Sequence, residues 1–385
     1  MTPEPESEQT KLALEVLRAE HGDCLLLTYG QDIVLIDGGP HGVYEASLKP
    51  RLEELMSGRD KPLWIRMVMV SHIDDDHIVG LADMFAEALE RKEENRGPAE
   101  WRAGELWFNA FGALTGAGAT AGTSGVQGAA LGALVAKAPG QDSKAVAASV
   151  PNGNALRQDA MGLGVEINKS FGGGLVEGGG DKATIEVVSG LRFTVLAPAA
   201  ERLTKLQKKW EEWEREHPQA DAQAAANLDR SVFNLSSIVV LAESGPRSLL
   251  LTGDAGSDDI LRGLEAAGLL DAGAPLVVDV LKLPHHGSRR NVNPSFFERI
   301  RARHYVISAN GRDGNPDDPT LTMLCDARRG DDEPWTLWLT YGGEANDGKP
   351  GLHERLSAFL SSRKAMGQDI DARFAKPGER HVIAL

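Results

Sequence analysis

The chain has 385 residues, a hydrophobic content of 42% and a formal net charge of −15 at pH 7, enough length for one large domain or two ordinary ones with a sizeable core. Such acidity argues against a broad basic surface for long nucleic acids but leaves room for a local basic channel. Cys24 and Cys325 are too few for a disulfide framework, residues 1–8 show no secretory pattern, and no apolar run reaches the roughly 18–20 residues of a membrane helix, so a soluble, cytoplasmic protein with no membrane partner is expected.

Apolar, β-branched segments predict buried strands at 24–28, 33–36 and 65–70. The third runs directly into Ser71-His72-Ile73-Asp74-Asp75-Asp76-His77. Behind it Leu81, Met84, Phe85 and Leu89 recur at helical spacing, predicting a helix over 78–92. Trp107, Phe108 and Asn109 end a further strand, as core or as pocket lining. Residues 112–162 are rich in Gly and Ala and read as an insertion of the kind that often forms a lid, with a helix at 126–137. After a strand at 193–196 comes a second insertion, 200–230. Its charged helix 201–217, with Trp210 and Trp213, reads as a solvated face or as the docking face for a protein partner. Strands follow at 238–241, 249–251, 277–283 and 305–307, with helices at 258–267 and 294–303. The polar stretch 342–378 opens a C-terminal extension, 342–385, that closes in a strand at 381–385. Strands mixed with helices throughout predict an α/β or α+β arrangement with helix-covered sheets, carried by a single domain over 1–385.

The cluster after residue 70 bears the chemistry. Two imidazoles and up to three carboxylates packed this tightly repel one another in water, and a bound divalent cation turns the repulsion into shared coordination. Three other apolar segments also end in polar residues: Asp37-Gly38-Gly39, Thr252-Gly253-Asp254 and Pro284-His285-His286-Gly287-Ser288. One strand-end Asp or His is ordinarily a turn residue or a cap. Four such ends converging on one edge of the sheets make a site.

This arrangement resembles the metallo-β-lactamase-fold hydrolase superfamily, and within it the branch carrying the DNA-uptake competence protein ComEC. The resemblance covers residues 12–310 with gaps. The superfamily's early Asp falls on Asp37. Its His-x-His-x-Asp-His signature falls on His72-Ile73-Asp74-Asp75-Asp76-His77, with the middle His replaced by Asp as in the competence branch. The bridging Asp falls on Asp254, and the last metal-site His on His285 or His286. Two features depart from the superfamily. Its third-motif His falls on Asn234, and the branch's His-Pro pair is Asp318-Pro319 here.

The resemblance implies an αββα sandwich around one or two divalent ions, Mn2+ or Zn2+ with Mg2+ as a third choice. One position would draw on His72, Asp74 and Asn234. The other would draw on Asp76, His77 and one of His285 and His286, with Asp254 bridging and Asp37 orienting a ligand or the attacking water. It implies metal-activated hydrolysis of a phosphodiester such as DNA. The histidine of the pair that is not a ligand would serve the leaving group, and Arg289, Arg290 and Ser288 lie where substrate phosphate could be met, against plain surface or turn roles. The acidity of the chain keeps a small phosphodiester, a phosphorylcholine-type ester or a lactone as an alternative substrate. A metal-stabilised subunit of a defence or signalling assembly is a reading of another class. His21, His41, Asp75 and Lys282 read as surface or structural residues.

Overall fold

The computed structural model describes residues 12–57, 59, 62–97, 100–109, 141–179, 183–204, 236–271, 273–331 and 333–385. Two eight-stranded mixed sheets form its centre. The first holds β1 (Leu12–Val16), β2 (Leu25–Tyr29), β3 (Asp32–Ile36), β4 (Leu63–Met69), β5 (Trp101–Ala103), β6 (Glu105–Trp107) and β7 (Glu166–Ile167). The second holds β8 (Thr184–Val188), β9 (Leu191–Ala197), β10 (Val239–Ser244), β11 (Arg247–Leu251), β12 (Leu276–Lys282), β13 (Ile300–Ile307), β14 (Thr336–Leu339) and β15 (Asp371–Phe374). The last strand, β16 (His381–Ala384), returns to the first sheet and pairs antiparallel with β1.

Burial on both faces follows from the side-chain period of two. In β3, Val34 and Ile36 enter the core between the sheets with Trp107, Phe193 and Val280. Ile33 and Leu35 point the other way, into a core shared with Leu52 of α1 (Lys49–Ser57), Phe85 of α2 (Asp75–Glu93) and Leu156 of α3 (Gln141–Leu163). On the far side a third core joins Leu250 and Leu281 to Ile260 of α4 (Ser257–Ala266), Phe296 of α5 (Pro294–Arg299), Leu321 of α6 (Asp318–Ala327) and Leu356 of α7 (Leu352–Ala365). Helices thus cover both outer faces, and the molecule is an αββα sandwich.

Strands β3, β4 and β6 run parallel, as do β11, β12 and β13. Their C-terminal ends lie together at one rim, and a bond from Ile238 N to Ser71 O (2.8 Å) ties the sheets there. Because β2 is antiparallel to β3, its beginning reaches the same rim.

Several expectations shift. The helix predicted over 78–92 starts at Asp75, which puts Asp76 and His77 in its first turn. The helix predicted over 294–303 stops at Arg299, because Ile300 and Ala302 pair with Leu276 and Val278 in β13. The predicted helix 126–137 lies outside the described residues. The end of that insertion, in α3, packs against the body, with Gly153 facing Phe108 and Ile73. The polar extension contains α7 and β15 besides the final strand, anchored by buried Leu352 and Leu356.

Candidate metal centre

The loop after β3 fixes one imidazole. Asp37 sits at φ +57° and donates its backbone N–H to Met69 O (2.9 Å). Its carboxylate accepts from Ser71 N and Ser71 Oγ, both at 2.7 Å. Oδ2 also lies 2.9 Å from His77 Nδ1. That contact places a ring proton on Nδ1 and directs Nε2 into the site. Asp37 therefore orients the His77 ring, a ligand candidate.

The remaining groups meet around Asp254, which follows Thr252 and Gly253 at the end of β11. Gly253 is at φ +49°, and a Cβ there would come within 2.9 Å of Ser71 Cβ, so a larger residue would push the sheets apart at the rim. Asp254 Oδ1 lies 3.3 Å from His77 Nε2 and 3.5 Å from His286 Nε2. Its other oxygen lies 3.7 Å from His72 Nε2 and 3.5 Å from His285 Nε2. Asp76 Oδ2 stands 3.4 Å from His286 Nε2, and Asp74 Oδ2 stands 3.8 Å from His72 Nε2.

His285 and His286 separate cleanly. His286 is buried, with Nδ1 2.8 Å from Ser308 O and Nε2 inside the cage. His285 has 27% of its side chain exposed, and its Nδ1 is held by Asn291 Oδ1 at 2.8 Å. His286 is the ligand candidate; His285 stands at the mouth. Both take left-handed backbone, at φ +48° and +55°. That conformation costs L-residues about 1–2 kcal/mol each and persists where surrounding contacts enforce it.

The site passes a direct test for a cation. His72 Nε2, His77 Nε2, His286 Nε2 and Asp254 Oδ1 are all buried without a hydrogen-bond partner. An orphaned buried polar atom costs about 1–3 kcal/mol, and here four lone-pair donors converge on a shared space. The donor set, imidazole nitrogen and carboxylate oxygen without thiolate, could hold a divalent metal ion.

One residue beneath this cage escaped the sequence reading. Asp23, just before β2, is buried, with Oδ2 2.5 Å from Lys282 Nζ and 3.9 Å from His77 Nδ1. Its Oδ1 lies 3.6 Å from His286 Nδ1. Asp23 clusters with His77, Asp254 and His286 closely enough to count as a ligand. It faces the Nδ1 edges, however, which Asp37 and Ser308 already occupy, so it supports the rings from behind. Lys282 is structural, as expected, and its carboxylate partner is now identified.

The buried charges explain the titration behaviour. Asp23, Asp37, Asp74 and Asp254 are buried and Asp76 is nearly so, and of these Asp23 meets the buried Lys282 ammonium. Burial pushes the Asp37 carboxyl up, opposed by His77. For Asp254 burial is outweighed by His285, His286, His77 and His72, which hold it well below the carboxylate range. Desolvation opposes charge on His77, yet Asp254, Asp76 and Asp37 raise it well above the usual imidazole range. The same balance, with Asp254 and Asp23 as the main anions, lifts His286 to about 10. His72 is driven to about 3 by burial and by the neighbouring His77. Protons on His77 and His286 thus stand where cations would otherwise balance the carboxylates.

Other sequence candidates lie outside the cage. Asn234, Trp210 and Trp213 fall outside the described residues. Ser288 is buried in a turn, its N–H on His285 O (2.9 Å) and its Oγ accepting from Arg290 N (3.4 Å). Arg289 and Arg290 are exposed on the same loop. Asp75 Oδ1 accepts from Asn152 (3.2 Å), away from the ligands. Trp107 and Phe108 are core, while Asn109 bonds the backbone of Val176. His41 is exposed beside Asp83, as expected. His21 is not simply surface: it is half-buried, and burial lowers its pKa against the pull of Asp76.

No protein-family model matches the chain. A 78-residue stretch, 19% of the chain, is 32% identical to human microtubule-associated protein 1A and spans 3% of that protein. Among solved structures, the chain is similar to Igni18, a metallo hydrolase from Ignicoccus hospitalis, at 12% identity over 96% of this chain and 98% of that one, TM-score 0.40. It is similar to Zn(2+)-bound PqqB from Methylobacterium extorquens at 10% identity over 84% and 97%, TM-score 0.38. It is also similar to CmlA, a diiron beta-hydroxylase from Streptomyces venezuelae, at 14% identity, covering 99% of this chain but only 55% of that one, TM-score 0.39. Among the described residues no helix is long and apolar enough to cross a membrane.

Proposed function

We propose that the protein is a metal-dependent hydrolase of the metallo-β-lactamase fold, acting on a phosphodiester. One observation carries the reading: the Asp254 carboxylate presents Oδ1 to His77 and His286 and Oδ2 to His72 and His285, so it divides two ligand groups. His72 and Asp74 would hold one ion, and Asp76, His77 and His286 the other, with Asp254 between them. Bound divalent cations would acidify water and polarise the phosphoester oxygens.

The chain's own residues supply the rest. Asp37 and Ser308 fix the tautomers of His77 and His286, so both Nε2 atoms stay available as donors to the ion. His285, steadied by Asn291 at the exposed mouth, would pass a proton to the leaving oxygen. Arg289 and Arg290 lie on the same exposed loop and would meet substrate charge there. The net charge of −15 favours a small phosphodiester over duplex DNA, because a long polyanion is repelled by an acidic surface.

Elemental analysis of the purified protein, with bis-(p-nitrophenyl) phosphate, single-stranded DNA and a lactone as substrates under Mn2+, Zn2+ and Mg2+, tests the proposal. His72→Ala and Asp254→Ala should each lose bound metal and cleavage. Cleavage at wild-type rate in both variants defeats the assignment. A cytoplasmic setting belongs to the same proposal, since Cys24 and Cys325 are both buried and unbridged.

A further inference from the structure

We infer that Arg312 and His21 form a subsite for an anionic group of the substrate, a phosphate oxygen under the hydrolase reading on which this inference rests. Arg312 is exposed, and its Nη1 lies 2.7 Å from His21 Nε2. Guanidinium only donates, so that imidazole nitrogen accepts and adds no positive charge of its own at this atom. Among the described residues no carboxylate lies within ion-pair distance of Arg312. The guanidinium is therefore a cation left unneutralised at the edge of a site crowded with carboxylates. Arg312 is held on an imidazole instead.

Its position is built from both sheets. His21 precedes Gly22, where a Cβ would fall 1.8 Å from Asp76 O, and Asp23 N donates to that same oxygen at 3.1 Å. The His21 loop therefore lies flush on the ligand loop, and the charges acting on His21 include Asp76 and His286. On the other side, Arg312 N donates to Asn310 Oδ1 (3.0 Å), and Asn310 Nδ2 donates to Glu20 Oε2 (2.7 Å). The loop that carries Arg312 also holds the last ligand loop, through Asp317 N to Gly287 O (3.0 Å) and Asn315 Nδ2 to His285 O (3.3 Å). Arg312 thus sits on the loop whose Asn315 and Asp317 brace His285 and Gly287, without touching either itself. Its planar fork suits a phosphate oxygen pair.

Titration of Mn2+-loaded protein with inorganic phosphate by calorimetry tests the subsite without turnover. Arg312→Ala and Arg312→Gln should weaken phosphate binding roughly tenfold or more, with Arg312→Lys between them and the wild type, and metal content unchanged in all. Phosphate bound equally tightly by the wild type and both neutral variants overturns the inference, as does a wild type that binds no phosphate. Turnover of bis-(p-nitrophenyl) phosphate by the wild type reports separately on the hydrolase reading. Turnover with unaltered phosphate binding in the variants sinks the subsite alone; Arg312-dependent phosphate binding without turnover sinks the hydrolase instead.

Discussion

Replacing Lys282 by Met isolates the support beneath the metal centre. Lys282 and Asp23 are each no more than 1% exposed, and their charged atoms meet at 2.5 Å. The Lys282 ammonium also donates to Leu283 O at 3.1 Å. Methionine keeps the length and volume of the lysine stem, so little of the effect comes from lost packing. What changes is Asp23: its nearest remaining cationic neighbours are imidazoles at 3.6 Å and 3.9 Å. Stranding one partner of a buried pair costs about 3–5 kcal/mol. Asp23 is held below the ordinary carboxylate range, with Lys282 and then His286 overcoming its desolvation. A depressed pKa contributes stability above the unfolded-state value of about 4 and loses it as pH falls. Urea unfolding at pH 7 should therefore show the full loss for Lys282→Met, and the gap to wild type should narrow below about pH 4. Adding Asp23→Asn removes the stranded charge and should restore at least about 2 kcal/mol, because neutralising both partners is far less costly than breaking one. A single variant within about 1 kcal/mol of wild type, or strictly additive effects in the double variant, would show that the pair carries no such energy.

Gly22→Ala should destabilise by about 2–3 kcal/mol and deplete metal, because its Cβ meets the Asp76 carbonyl at 1.8 Å; Gly273→Ala, with nothing within 4 Å, should stay within about 0.5 kcal/mol in the same melts. Cation binding should release protons near pH 7, because His77 and His286 are raised above that pH and must give up the Nε2 proton to coordinate, whereas His72, at about 3, has none to lose. Calorimetry in two buffers of different ionisation enthalpy measures this, and a buffer-independent heat would contradict it. Native protein should expose no thiol to a disulfide reagent and two after denaturation, since both cysteines are buried and burial pushes the Cys325 thiol up to about 12.

What was legible in the sequence follows from where information sits along the chain. His72 to His77 is contiguous, and Asp37, Asp254 and His286 each end an apolar run, so period-two burial and a polar stop mark them without tertiary knowledge. Asp23 carries no such mark: it stands before a strand, and only the antiparallel pairing of β2 with β3 brings that strand's beginning to the rim where the others end. Local pattern cannot separate His285 from His286 either. The choice depends on Ser308, 22 residues from His286, and on Asn291, six residues from His285, each claiming one Nδ1. The helix predicted over 294–303 runs too long for a related reason, since Ile300 and Ala302 are β-registered against β12, a preference that pairing supplies and helical spacing does not. The same logic places the Arg312–His21 pair beyond sequence reading. Arg312 and His21 are 291 positions apart, and they meet because the two sheets close on one another at their rim. The candidate ligands and Asp37 were legible at the ends of apolar runs; Asp23, Ser308 and Asn291, which brace the rings, are brought there by the sandwich closing.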